Sequence, residues 1–351
     1  MITQKKVLNA FSELGSCLRK LENPETNSDN YKIIFLEKLI QQAYLTNRWF
    51  IPQFSRAALI NAGHMLTNQQ LITWIDSIKH LVDPEKKKKT VAVINAGNVP
   101  AVGFADFVNV VCSGHTYLGK LSSDDPVLLP GIGELLLQIE PELKGSFRFT
   151  QDKLVDFEAV IATGSDNTSR YFEYYFGKYP NIIRKNRNGI AVLTGKETDD
   201  QLSLLAKDVF MYFGLGCRSV SKIFVPLNFD FSNMIEAFQN FSWIDENHKY
   251  KNNYDYYKAI FMVNGDSFFD TGFLLLKEEG SYASPLSVLY FEKYNDLDKL
   301  KKRLDADVSS IQCKIGSTEI SDDFIPWGQS QVPELTDYAD GVNTMEFLLS
   351  L

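Results

Sequence analysis

Cysteine and histidine are scarce, and neither is arranged for metal or disulfide chemistry. The 351 residues contain four cysteines, Cys17, Cys112, Cys217 and Cys313, spread about a hundred residues apart with no C-x-x-C pair. This spacing excludes a disulfide framework and a cysteine zinc site, fits a reducing compartment, and leaves any sulfur chemistry to a single thiol. The four histidines, His64, His80, His115 and His248, have no Cys, Asp or Glu at ligand spacing, so no metal is expected. No run approaches the ~18 apolar residues needed to span a bilayer, and the start MITQKKVLNAFSELG lacks the apolar core and small-residue cleavage site of an export signal. A cytoplasmic protein without a membrane span is expected. Positive charge is in deficit: 36 Lys and Arg against 44 Asp and Glu leave −8, which offers no general field for nucleic acid or an anionic membrane surface. A phosphate-bearing ligand would need a local site. Repeats and low-complexity tracts are absent as well.

What is present is the balance of a globular enzyme, 44% hydrophobic and 23% charged, in a length that predicts two domains. Residues 1–81 read as amphipathic helices, with Val7, Leu8, Phe11, Leu14 and Leu18 on one face and Ile33, Ile34, Leu36, Leu39, Ile40 and Ala43 on another. Thr67 and Gln70 have capping-box spacing ahead of Leu71, Ile72, Trp74, Ile75 and Ile78. DPEKKKK (83–89) ends this helical lead-in, and its Lys86 to Lys89 run reads as a solvated turn. From Val91 the pattern becomes strand-like runs at 91–95, 115–120, 147–150 and 159–163, separated by helices near 101–112, 127–139 and 165–176. That alternation predicts a doubly wound parallel α/β sheet. A second alternating segment has strands at 190–195, 222–226, AIFMV (259–263), 273–277 and 287–291, with a helix over about 198–213.

Four positions invite chemistry. Cys217 lies in FGLGCRS at a helix-to-strand junction, where Gly214 and Gly216 clear its approach and Arg218 adds charge that favours a thiolate. Cys17 and Cys112 sit in apolar periodic stretches and Cys313 in a strand-like run, so these three read as structural. Asn98, in INAGNVPAVGF, follows the first strand of the sheet; it is either a turn former or an amide donor aimed at an oxyanion. TGSDNTS (163–169), with Gly164 and Ser165, opens a helix after an apolar strand, as a pyrophosphate site or a plain N-cap. Lys120 ends a strand beside the first one, solvated or placed to meet a nucleotide's ribose. GIGELL (131–136) and GLGCRS (214–219) both lack the third glycine of a dinucleotide-binding loop.

The succession NAGNVP, LGKLSSDDP, ATGS and FGLGC followed by IFV resembles the aldehyde dehydrogenase superfamily over roughly residues 90–290. The resemblance implies an oxyanion role for Asn98, a ribose contact at Lys120, a cofactor-binding helix start at Gly164 and Ser165, and Cys217 as nucleophile. Lys222 takes the basic position five residues after that cysteine. The family's general-base glutamate would fall near Ile183 or Arg184, where no acid stands. Hydrolysis of an acyl-enzyme needs that base, whereas transfer to or from a thiol does not, so coenzyme A thioester chemistry is favoured. Glu279, in EEGSYASPL, is displaced by two positions from the glutamate of the family's E-x-F-G-P segment and is a weak cofactor contact. Ser123 replaces the glutamate that holds the adenine ribose; losing that charge favours NADPH over NADH.

With its helical lead-in and the tail from FIPWGQSQVPEL onward, the chain resembles the acyl-CoA reductase family, which includes the fatty acid reductase of luminous bacteria. The resemblance implies an aldehyde dehydrogenase-like fold: a cofactor domain at 1–190 that includes the helical lead-in at 1–89, a catalytic domain at 191–325 and a tail at 326–351. It implies NADPH-dependent reduction of a long-chain fatty acyl-CoA to the aldehyde, with coenzyme A leaving, in a homo-oligomer served by an acyl-donating synthetase. The alternatives are a CoA-acylating aldehyde dehydrogenase running oxidatively and a non-catalytic binding protein of the same fold.

Overall fold

The structure, a computed structural model, describes residues 2–25, 29–78, 87–164 and 166–351, apart from the side chains of 166 and 167. Of the 83–89 punctuation only Lys87 to Lys89 are among them. The chain divides into two compact units, residues 1–185 with 333–351, and residues 186–332.

The first unit begins with helices α1 (Gln4–Arg19), α2 (Tyr31–Thr46), α3 (Pro52–Met65) and α4 (Asn68–Ile78). Local signals start them: Asn30 accepts from the Lys32 N–H at 3.0 Å, Pro52 opens α3, and Thr67 accepts from the Gln70 N–H at 3.3 Å ahead of α4. There follow β1 (Thr90–Ile94), α5 (Phe104–Cys112), β2 (Thr116–Lys120), α6 (Leu128–Ile139), β3 (Phe147–Thr150), β4 (Ala159–Thr163), α7 (Asp166–Phe176) and β5 (Asn181–Arg184). The five strands are parallel in the order β3-β2-β1-β4-β5. One face, with Val91, Val93 and Ile161, buries against the apolar stripes of α1, α5 and α6. The other, with Ala92, Val160 and Ala162, buries against Phe172 and Phe176 of α7. Both faces are therefore dry, which is why the strands read as continuous apolar runs. The glycines of GIGELL serve packing: a Cβ on Gly131 would stand 2.3 Å from the Leu39 side chain of α2.

The second unit contains β6 (Asn188–Val192), α8 (Asp199–Phe210), β7 (Val220–Pro226), α9 (Ser232–Phe238), α10 (His248–Asn264), β8 (Phe268–Asp270), β9 (Leu275–Glu278), β10 (Val288–Tyr294), α11 (Leu297–Ala306), β11 (Ile311–Ile315) and β12 (Phe324–Ile325). The sheet order is β12-β11-β6-β7-β10-β9-β8, parallel except for the β8–β9 hairpin. Ile190, Val192 and Phe224 bury against Leu300 and Leu304 of α11. The chain then returns to the first unit, where α12 (Thr344–Ser350) buries Met345 and Leu348 in the core. The expected strand at 259–263 is a correction: these residues are the end of α10. That helix buries Tyr250, Tyr254 and Phe261 at helical spacing and leaves Met262 and Val263 exposed, so the apolar run is a helix end crossing from one face to the other. No helix of the described residues is long and apolar enough to cross a membrane.

Candidate active site

Cys217 is exposed, whereas Cys17, Cys112 and Cys313 are buried. Burial pushes the Cys17 and Cys112 thiols above their ordinary range, which keeps them protonated and inert. After α8 the backbone turns through the left-handed region at three successive residues, Tyr212 (φ 54°), Phe213 (φ 57°) and Gly214 (φ 75°). Only the last is a glycine; Tyr212 and Phe213 each store about 1–2 kcal/mol of strain in that conformation. Their buried rings hold it, that of Phe213 lying 5.9 Å from Tyr250. Gly216 to Ser219 then form a turn closed by the Ser219 N–H donating to the Gly216 carbonyl at 2.9 Å, with Cys217 at its second position, just ahead of β7.

This turn is fastened from behind by the segment 328–331. The Arg218 Nε donates to the Ser330 carbonyl at 2.5 Å and the Gln331 amide donates to the Ser219 hydroxyl at 3.1 Å. The Cys313 thiol, on β11, lies 3.6 Å from the Arg218 carbonyl and donates to it. Asp208, in the last turn of α8, accepts from the Gly328 and Ser330 N–H groups at 2.6 and 3.0 Å. Sequence reasoning passed over this aspartate, because its partners lie far along the chain.

In the first unit, Asn98, Lys120, Ser123 and Gly164 lie together at the carboxyl edge of the sheet, after β1, β2 and β4. The strand order reverses between β1 and β4, and open α/β sheets bind ligands in the crevice at such a reversal. Asn98 is exposed on the 95–103 loop. That loop is pinned by the buried Asp125, which accepts from the Ala101 N–H at 2.9 Å and the Leu128 N–H at 3.1 Å. A Cβ on Gly97 would come 2.4 Å from the Ser122 hydroxyl, so the loops carrying Asn98 and Ser123 touch. Lys120 donates its Nζ to the Gln151 carbonyl. At Gly164 a side chain would meet Phe172 at 2.9 Å and Thr168 at 3.1 Å, so the passage from β4 into α7 requires glycine. Ser165 lies outside the described residues.

Arg184, where the resemblance expects a general base, is buried in a bidentate pair with Asp106 at 2.6 and 2.8 Å and donates to the Thr344 hydroxyl at 3.0 Å. In the second unit, Glu279 follows β9, its carboxylate accepting from the Gly280 N–H at 2.8 Å with Lys277 3.7 Å away. It is level with the middle of the sheet, whereas Cys217 lies ahead of the amino end of β7, so the two do not meet along the strands. Lys222 is fully buried, bound to Glu292 at 2.6 Å and the Gly280 carbonyl at 2.7 Å, and burial lowers its pKa. It is a structural cation, remote from solvent. A cavity of about 520 Å³ lined by Thr194, Phe229, Asn233 and Asn295 opens at the opposite, carboxyl edge of this sheet and contains none of the residues singled out above. Among the described residues no group of three or more His, Cys, Asp or Glu converges as a metal site.

No protein-family model and no curated protein matches this chain. Solved structures do. It is similar to an oxidoreductase from Marinobacter aquaeolei (TM-score 0.65, 10% identity, 95% of this chain and 79% of that one). It is also similar to aldehyde dehydrogenase 21 from Physcomitrella patens in complex with succinate (0.60, 12%, 86% and 71%). A third is indole-3-acetaldehyde dehydrogenase from P. syringae in complex with NAD+ (0.59, 14%, 86% and 69%). The likeness is one of fold: this chain has the aldehyde dehydrogenase fold, as its sequence motifs implied.

Proposed function

We propose that this protein is a nicotinamide-dependent oxidoreductase that reduces a fatty acyl thioester of coenzyme A to the aldehyde, with Cys217 as its nucleophile. The observation that carries the reading is Cys217 itself, the exposed cysteine of four, presented on a strained turn of an aldehyde dehydrogenase-like fold. The Cys217 sulfur attacks the acyl carbonyl carbon, and the Asn98 amide donates to the oxygen as negative charge develops, a contact typically worth about 2.7–4 kcal/mol. Collapse of this adduct expels the coenzyme A thiolate and leaves the acyl group on Cys217. A dinucleotide suits the carboxyl edge of the first sheet, where Gly164 lets β4 pass closely into α7 and Lys120 and Ser123 flank the crevice; when bound, it supplies a hydride. The hemithioacetal on Cys217 then releases the aldehyde and restores the thiol.

The first half of this cycle exchanges one thiolate for another, and the second expels the Cys217 thiolate from a carbon that hydride has reduced, so no activated water is needed. The commitment of Arg184 to Asp106 at the position of the general base agrees with transfer to a thiol and disfavours acid formation. NADPH is the preferred donor because Ser123 carries no charge to repel a 2′-phosphate. The test incubates the protein with acyl-CoAs of several chain lengths and NADPH or NADH and follows aldehyde release. Turnover is expected in the parent and lost in Cys217→Ala; a variant that still turns over removes Cys217 from the reaction. A parent that oxidises neither cofactor favours the non-catalytic reading.

A further inference from the structure

Asp208 is an aspartate in an expensive place. It is 1% exposed, and it lies in the last turn of a helix, where the macrodipole opposes a negative charge. What it obtains there is two backbone N–H groups from a segment 120 and 122 residues further on, those of Gly328 and Ser330. The same segment holds the far end of the nucleophile turn, through the Ser330 carbonyl to Arg218 and through Gln331 to Ser219. Residues 209–217, with the three left-handed residues and Cys217, are thus clamped at both ends by one four-residue strip. Without the Asp208 grip, the strip would keep only the packing of Gly328 on Leu204 of α8, and no hydrogen bond of this clamp would fix the turn relative to the helix.

We infer that Asp208 is a positioning residue for Cys217, acting through the 328–331 segment; the inference rests on Cys217 being the nucleophile. Asp208→Asn keeps the shape but turns an NH2 group toward one of two N–H donors, so one bond is replaced by a donor-donor clash. Small displacements of a reacting group are costly, and a fall in kcat on the order of 10- to 100-fold is expected, with the KM for NADPH unchanged because that site belongs to the other unit. The pH profile of Cys217 alkylation by iodoacetamide should shift as the turn that presents the thiol loses its fixed place. Hydrogen exchange at Gly328 and Ser330 should speed up in the same variant.

A variant with faster exchange or a lower melting temperature but parental kcat and alkylation overturns the inference, since Asp208 would then serve stability alone. If Asp208→Asn does not fold, Gln331→Ala decides: it loosens the other end of the clamp without touching a buried charge. A reduced kcat and shifted alkylation profile in Gln331→Ala support the clamp, and parental values overturn it. A parent with no turnover and a Cys217 no more reactive than free cysteine removes the nucleophile reading and this inference with it. That failure is distinguishable because it occurs before any substitution is made.

Discussion

The exposed Cys217 and the three buried cysteines make a simple count decisive. Native protein should react with one equivalent of a thiol reagent and unfolded protein with four, and Cys217→Ala should remove the native equivalent. Asn98 stands exposed on a loop pinned by Asp125 and by the close packing of Gly97, so Asn98→Ala should leave the course of the loop in place. It should lower kcat by about 10²- to 10³-fold, the usual loss for one oxyanion donor. Ser123→Glu restores a carboxylate to the ribose position and should raise the ratio of NADH to NADPH turnover, as measured by kcat/KM for each. The placement of Cys217 on a turn before a strand, and of Asn98 and Lys120 at strand ends, was legible in the sequence because these residues stand at glycine or strand-end punctuation. Asp208 and Asp125 were not, because a lone aspartate in a polar stretch looks solvated until the fold delivers the N–H groups that it accepts.

At the scale of the element, the connection between α8 and β7 stores strain that the adjoining core must hold. Gly214→Ala would put a Cβ on a residue at φ 75°, 3.2 Å from the Val209 carbonyl. A loss of about 1–2 kcal/mol in urea unfolding is expected, together with reduced turnover. Strand β7 carries a second constraint in Lys222, whose ammonium sits 4.9 Å from the Phe224 ring centre and 5.2 Å from that of Tyr282. Glu292→Gln removes its counter-charge, and breaking such a buried pair typically costs about 3–5 kcal/mol. Burial pushes the Glu292 carboxyl upward, but hydrogen bonds from Arg303 and Lys222 outweigh this and leave it below its ordinary range. The stability it contributes is therefore complete above pH 4.5, the ordinary value, and is lost as pH falls through the lower native one. Unfolding free energies measured between pH 3 and 7 should show this slope in the parent and lack it in Glu292→Gln. Asp208 and Asp125 are raised by burial and act in the opposite sense, their contribution falling as pH rises above 3.8. Elements buried on both faces, such as β1 and β4, could be read from their apolar runs, whereas AIFMV could not, because α10 leaves Met262 and Val263 bare.

At the scale of the whole molecule, the alternation of strand and helix conveyed the doubly wound sheet of residues 90–184, but nothing in the local pattern told that residues 333–351 return to it. Their attachment rests on contacts between distant segments: Leu335, Met345 and Leu348 in the core, the Trp74 indole N–H donating to the Tyr338 hydroxyl at 2.9 Å, and His115 bonded to the Leu348 carbonyl at 2.9 Å. Removing residues 333–351 should therefore lower the thermal midpoint of the first unit and expose apolar surface to a hydrophobic dye, while Cys217 stays reactive on the second. The same threading fixes an order of events during synthesis. When residue 332 leaves the ribosome, the second unit has all its strands, but the first still lacks some of its core and waits with an apolar cleft open. Translation speed over residues 333–351, and any chaperone that shields that cleft, would then govern the yield of folded chains.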